Sequence, residues 1–225
     1  RLTAHEYIQM DTKLFQLMGE IAKKQRASLF SVILAIFYIA ISRITKQKDI
    51  TVSTMLNDRL RPEIFSTVGY FVSVVPLRVK FSESDTFLDF VRLCRNSIFN
   101  AMQNQVMPMH MLSSGLNQSG KSRVDDVVIQ LLGNPANTPN PFAPWEDMKP
   151  DIGGGRTFGL EVVVQPITDI WHVSVLYNSS QYEKSFISTL LSHFNEAASC
   201  ALNKPTDSLA SFLWIEEQSE VNEVT

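Results

Sequence analysis

The spacing of apolar residues divides the chain into helical and extended stretches. From Asp11 onward, Leu14, Leu17, Met18 and Ile21 recur at the spacing of one helix face, with Lys13, Glu20, Lys23 and Lys24 opposite, which predicts an amphipathic helix. Ser28, whose hydroxyl can accept from a first-turn amide, opens a second helix running to about Arg43. That helix carries Leu29, Val32, Ile33, Ile36, Phe37, Ile39 and Ala40, apolar nearly all round, and is expected to be buried on most sides. Residues 49–54, with β-branched Ile50, Thr51 and Val52, predict a short strand, followed by the charged loop from Asn57 to Pro62. Residues 70–81 form the clearest strand: Leu77, Val79 and Phe81 alternate with Arg78 and Lys80. Pro76 lacks an amide donor and assigns this strand to an edge or a bulge. Thr86 begins a helix with Phe87, Phe90, Val91, Cys94, Ile98 and Met102 as its stripe and Arg92 and Arg95 outside. Strands are expected at 126–132, 158–165 and 171–177, and a last helix at 182–202 with Phe186, Ile187, Leu190, Phe194, Ala197 and Leu202 inward. Helices alternating with strands predict an α/β layered fold, a mixed sheet packed with helices.

Residues 133–156 break the pattern. They contain Pro135, Pro139, Pro141, Pro144 and Pro150 and then Gly153-Gly154-Gly155, a composition that favours neither helix nor sheet. A loop of this length inside a compact domain is usually functional or disordered. Over all 225 residues, 44% are hydrophobic and 19% charged, which excludes a disordered tail or a collagen-like fibre and leaves enough chain for a large core. The net charge of −3 gives no electrostatic footprint for nucleic acid. The apolar run 29–41 is too short for a bilayer span, and no targeting segment is evident. Cys94 and Cys200, far apart and each within a helical pattern, are expected to be reduced, buried thiols of a cytosolic protein. The opening Arg1-Leu2-Thr3, without an initiator methionine, suggests a piece of something longer.

The residues offer little complete chemistry. His5, His110, His172 and His193 are isolated in sequence, and no His-Glu-x-x-His or Cys-x-x-Cys spacing supplies metal ligands. There is no Gly-x-Ser-x-Gly elbow for a serine nucleophile. Gly153-Gly154-Gly155-Arg156 lacks the strand, lysine and helix of a phosphate loop and reads as a turn. The expected catalytic set and metal set are therefore both empty.

Four collinear stretches nevertheless resemble the condensation domains of nonribosomal peptide synthetases. The apolar helix leading into Arg43-Ile44-Thr45 and Asp49 is similar to that family's buried helix and its Arg-x-Thr-x-x-x-Asp pattern. Gly69-Tyr70-Phe71-Val72-Ser73, with Arg78 downstream, resembles its Gly-x-Phe-Val-Asn motif, Ser73 standing where Asn is usual. Asn104-Gln105 with Pro108 resembles a His/Asn-Gln-x-x-Pro-Phe-Glu motif in which Met109 and His110 replace the last pair. The strand ending at Gly133-Asn134 resembles one that closes in an Asn-Pro-like turn, and the tail after Phe212 resembles the start of an interdomain linker.

The resemblance implies the chloramphenicol-acetyltransferase-like fold, two α/β lobes in a V, with a His-His-x-x-x-Asp-Gly motif in the N-terminal lobe. No His-His pair occurs here, so residues 1–213 are expected to be a C-terminal lobe and 214–225 the start of a linker. The implied reaction is amide formation between acyl groups carried on phosphopantetheine arms, with no cofactor bound by the lobe itself. The implied partners are the N-terminal lobe, carrier proteins and adjacent synthetase domains, in the cytoplasm, without nucleic acid or membrane. Ser73 and Asn134 are expected to border the substrate tunnel, while Asn134 before Pro135 is equally a turn residue. Gly69 is expected to allow a close backbone approach, and Phe71 belongs to the same motif. Arg78 is expected on the exposed side of its strand, and Gln105 and Pro108 at a helix end. Arg59 matches an arginine frequent in this loop of the family, with no role assigned. Segments crossing to the other lobe are expected within 133–171, a surface loop being the even alternative. Two other accounts remain open: a non-catalytic docking or scaffold module, and half of a CoA-dependent acyltransferase of the same fold. Signatures of heterocyclising and epimerising relatives are not found.

Overall fold

The computed structural model describes residues 3–57, 59, 62–105, 126–133, 158–167 and 170–213. Its centre is helix α2 (Leu29–Thr45). Ser28 has an extended backbone and accepts from the Ser31 amide at 3.1 Å, satisfying one of the donors a helix start leaves open. Every side chain from Val32 to Ala40 is buried. A helix without a polar face needs neighbours all round, and α2 finds them in α1 (Thr12–Lys24), α3 (Phe87–Asn104), α4 (Lys184–Asn203) and the short α5 (Ala210–Leu213). Tyr38, inside this core, donates its hydroxyl to Leu77 O at 2.6 Å, and burial pushes its pKa well up.

The helices pack on a mixed sheet of β1 (Thr3–Met10), β2 (Asp49–Asn57), β3 (Val72–Lys80), β4 (Val127–Leu131), β5 (Leu160–Ile167) and β6 (Ile170–Asn178). The strand order is β1-β6-β5-β4-β2-β3; β4 runs parallel to β2 and β5, and the other pairings are antiparallel. The α/β expectation of a mixed sheet packed with helices is met. β3 is an edge strand, which is why Pro76 is tolerated opposite Ser53.

Several expectations need correction. β1 has no counterpart in the periodicity reading, because Glu6 interrupts the inward series Ala4, Ile8 and Met10. The strand forms against β6 from Thr3↔Asn178 to Met10↔Trp171, and Glu6 meets Lys184 Nζ at 2.7 Å. β2 runs on to Asn57 because its pairing with β3 continues to Val72, and β3 starts there rather than at Tyr70. α4 begins at Lys184: the Tyr182 amide bonds to Asn178 O within the preceding turn. Cys94 is buried as expected, its pKa well up through desolvation, but Cys200 is exposed. Met102 is 51% exposed: at about 100° per residue, Ala101 takes the inward position and Met102 falls on the margin of the stripe. Of the stretch 133–171 where crossing segments are expected, 134–157 and 168–169 lie outside the described residues, as does the tail from Trp214, while Leu160–Ile167 and the start of β6 are paired within this sheet. Among the described residues, no single helix is long and apolar enough to cross a membrane.

Candidate functional site

β2 and β4 run parallel and are bridged at one register position, Ser53 opposite Val128. Beyond it, a side chain replaces the ladder: Thr54 Oγ1 donates to Ile129 O at 2.8 Å. From the carboxyl end of β2 the chain passes to β3 on one side, and from that of β4 to β5 on the other. In open α/β sheets, ligands bind outside the carboxyl ends of parallel strands where connections diverge in this way.

The motif residues gather at that edge. Ser73 pairs with Leu56, and Val72 with Asn57, at the last positions of β2. The Arg59 amide donates to Asn57 Oδ1 at 2.9 Å. The Arg59 side chain turns back over the loop, where Nη1 donates to Ile64 O at 2.5 Å and Phe65 O at 3.2 Å. Its guanidinium carbon lies 4.4 Å from the centre of the Phe71 ring, a cation–π contact. Gly69 packs against the same ring: a Cβ there would come 3.0 Å from Phe71 Cε2, which agrees with the expected close approach. The loop carries Phe65, Val68 and Tyr70, exposed at 61%, 99% and 82%.

Other sequence-derived candidates fall elsewhere. Arg78 lies toward the far end of β3, where Nε and Nη2 donate to Asp49 Oδ1 and Oδ2 at 2.8 and 2.7 Å. This paired bond holds the Asp49 carboxyl below its ordinary pKa and raises that of Arg78, so Arg78 is the exposed strand residue expected. Gln105 closes α3 and is buried. Asn134 and Pro108, with Met109 and His110, lie outside the described residues. Sequence reasoning missed Asn57 and Thr54: a polar residue at a strand end carries no periodic signal, and although Asn57 caps the amide two residues on, the partner of Thr54 emerges only once β2 and β4 are adjacent.

A serine, an asparagine, an arginine and aromatic rings can orient and enclose a substrate. The described histidines lie away from them. His172 begins β6, beyond β5 and β4, and stacks on Tyr7, which stacks on His5; their ring centres are 5.5 and 5.8 Å apart. His193 is on α4, its Nδ1 3.6 Å from Glu196 Oε2. Among the described residues, no group of His, Cys, Asp and Glu could hold a metal ion. A cavity of about 320 Å³ lined by Cys200, Lys204 and Phe212, among others, lies between α4 and α5 and contains none of the strand-end residues.

Fold and site together define an α/β domain whose strand-end edge gathers polar and aromatic groups but no histidine among those described. The profile of the condensation domain matches residues 3–221, and the chain belongs to that family. It is 23% identical over 219 residues to a linear gramicidin synthase from Brevibacillus parabrevis, covering 95% of this chain and 4% of that protein. The condensation domain of the monacolin K polyketide synthase MokA superposes with a TM-score of 0.76 at 17% identity, over 93% of this chain and 49% of that one. The X-domain from teicoplanin biosynthesis, solved in complex with OxyB, gives 0.77 at 14% identity, over 96% of this chain and 49% of that one. The chain thus spans about half the length of these solved chains and a few per cent of its curated relatives.

Proposed function

We propose that residues 1–213 are the C-terminal lobe of a nonribosomal peptide synthetase condensation domain of the chloramphenicol-acetyltransferase-like fold, and that 214–225 open the linker to the next domain. The observation that carries this reading is coverage. The family profile takes in residues 3–221, while the chain fills 49% of a solved condensation-domain chain. The sequence contains no His-His pair, in keeping with a catalytic motif on the other lobe.

In this reading, carrier proteins bring donor and acceptor on phosphopantetheine arms, and the lobe itself binds no cofactor. The acceptor amine attacks the donor thioester carbonyl. The C–N bond forms, the C–S bond breaks, and the donor arm leaves as a thiol, taking up a proton in place of the one lost from the amine. A histidine of the N-terminal lobe assists that transfer. Ser73 lines the tunnel wall and orients a reacting carbonyl, with Asn134 in the same role on the β4 side. Segments within 133–171 reach across to the N-terminal lobe, and the domain works in the cytoplasm beside the other synthetase domains.

The test is an amide-formation assay on the complete parent domain, with carrier-bound donor and acceptor. Product is expected, and its loss when the upstream motif histidine is replaced by alanine. Product formation indifferent to that histidine overturns the reading. A second reading is a non-catalytic docking module, favoured by the likeness to an X-domain solved in complex with OxyB. It predicts partner binding without amide product in the same assay.

A further inference from the structure

We infer that Arg59 is a positioning residue which holds the loop 62–71 and the start of β3 in place as one rigid wall of the substrate site. The inference rests on the proposed function for its substrate and on geometry for its mechanism. Asn57 and Val72 face each other at the end of the β2–β3 ladder, and the described residues between them make no further strand pairing. Arg59 supplies the missing connections across that excursion. Its amide is held by Asn57 Oδ1 at one end, and its guanidinium donates to the Ile64 and Phe65 carbonyls in the middle. The same group covers the Phe71 ring next to Val72 and Ser73 at the other end. Within the loop itself, the Phe65 amide bonds to Pro62 O and the Thr67 amide to Ile64 O, both at 3.2 Å. Gly69 allows the backbone to approach Phe71 from the other direction.

One planar group thus ties together two carbonyls and a ring, while the backbone amide of the same residue fixes it to the strand end at Asn57. Lysine cannot reproduce this: its ammonium is a strongly hydrated point charge on a flexible stem, without the flat face or the fixed fork. The wall so held presents Phe65, Val68 and Tyr70 outward and sets Ser73 beside Leu56. Displacement of such a wall by about 1 Å can reduce the rate of a positioned reaction by as much as about a hundredfold.

The experiment compares wild type, R59K and R59A in the complete parent domain, reading amide formation, hydrogen exchange and melting temperature. In both variants, the Phe65 and Thr67 amides are expected to exchange at least about tenfold faster. The kcat/KM for carrier-bound substrates is expected to fall about tenfold or more, with the melting temperature close to wild type. A merely electrostatic role would be rescued by lysine, so an R59K enzyme with wild-type activity and exchange overturns the inference. A loss of activity matched by global unfolding also overturns it. Should the wild-type domain form no amide at all, the proposed function falls first and this inference with it; an active wild type beside a fully active R59K refutes only the role of Arg59.

Discussion

Tyr182 donates its hydroxyl to Asp126 Oδ2 at 3.0 Å, and burial, reinforced by the carboxylate, pushes the phenol up to about 12. Gly159 lies against the same carboxylate: a Cβ there would sit 2.6 Å from both oxygens, so any side chain at this position displaces the carboxylate. The phenol titrates near 10 in the unfolded chain. Its folded-state pKa is higher, so its share of stability is complete below pH 10 and is lost as pH rises through about 12. Because the group is half-buried and partly screened, that share is on the order of 1 kcal/mol. Urea unfolding of wild type and Tyr182→Phe across pH 9 to 12 is expected to show the steeper decline in wild type; parallel curves would refute the assignment. None of this contact was legible in sequence. The helical stripe absorbed Tyr182 into α4, and its partner lies 56 residues away. Ser28, by contrast, was legible as a cap, because a cap acts on amides within its own first turn; Thr86, read from the sequence only as a helix start, caps α3 in the same way.

Helices α2, α4 and α5 are joined by Arg43, whose side chain is only 3% exposed. Its Nε donates to Phe212 O at 2.6 Å and its Nη1 to Glu196 Oε2 at 3.3 Å. Burial lowers the pKa of this guanidinium, and Glu196 opposes the shift. Replacing it with methionine leaves the Phe212 carbonyl without this donor and removes one partner of Glu196, which keeps Ser192 Oγ at 2.8 Å. The expected cost is about 1–3 kcal/mol in denaturant unfolding, that of a buried carbonyl left without its donor. A change below about 0.5 kcal/mol would mean that the contact does not hold α5. The elements themselves were largely readable. α2 announced itself by unbroken apolarity, and α1, α3 and α4 by their stripes. β2 to β6 were read from β-branched or alternating runs. β1 was not, since a glutamate that pairs with Lys184 looks, in one dimension, like the end of an apolar series.

On the scale of the whole molecule, the sheet brings Ser73, Asn57, Arg59 and Phe71 to one edge and leaves the described histidines elsewhere. The chain by itself is therefore expected to give no amide product above background with carrier-bound substrates, and measured turnover would sink the half-domain reading. The period of side chains along helix and strand, the capping residues and the family motifs were determined by sequence alone, because each is written in neighbouring residues. Tertiary structure alone decided the strand order, the single bridge between β2 and β4, the turn of Arg59 onto Phe71, and the engagement of Arg78 with Asp49 rather than with the site. The reason is physical. Ladder bonds join backbone groups that every residue carries, so a strand's neighbour is chosen by packing of the whole sheet against α2 and its companions, not by any local signal.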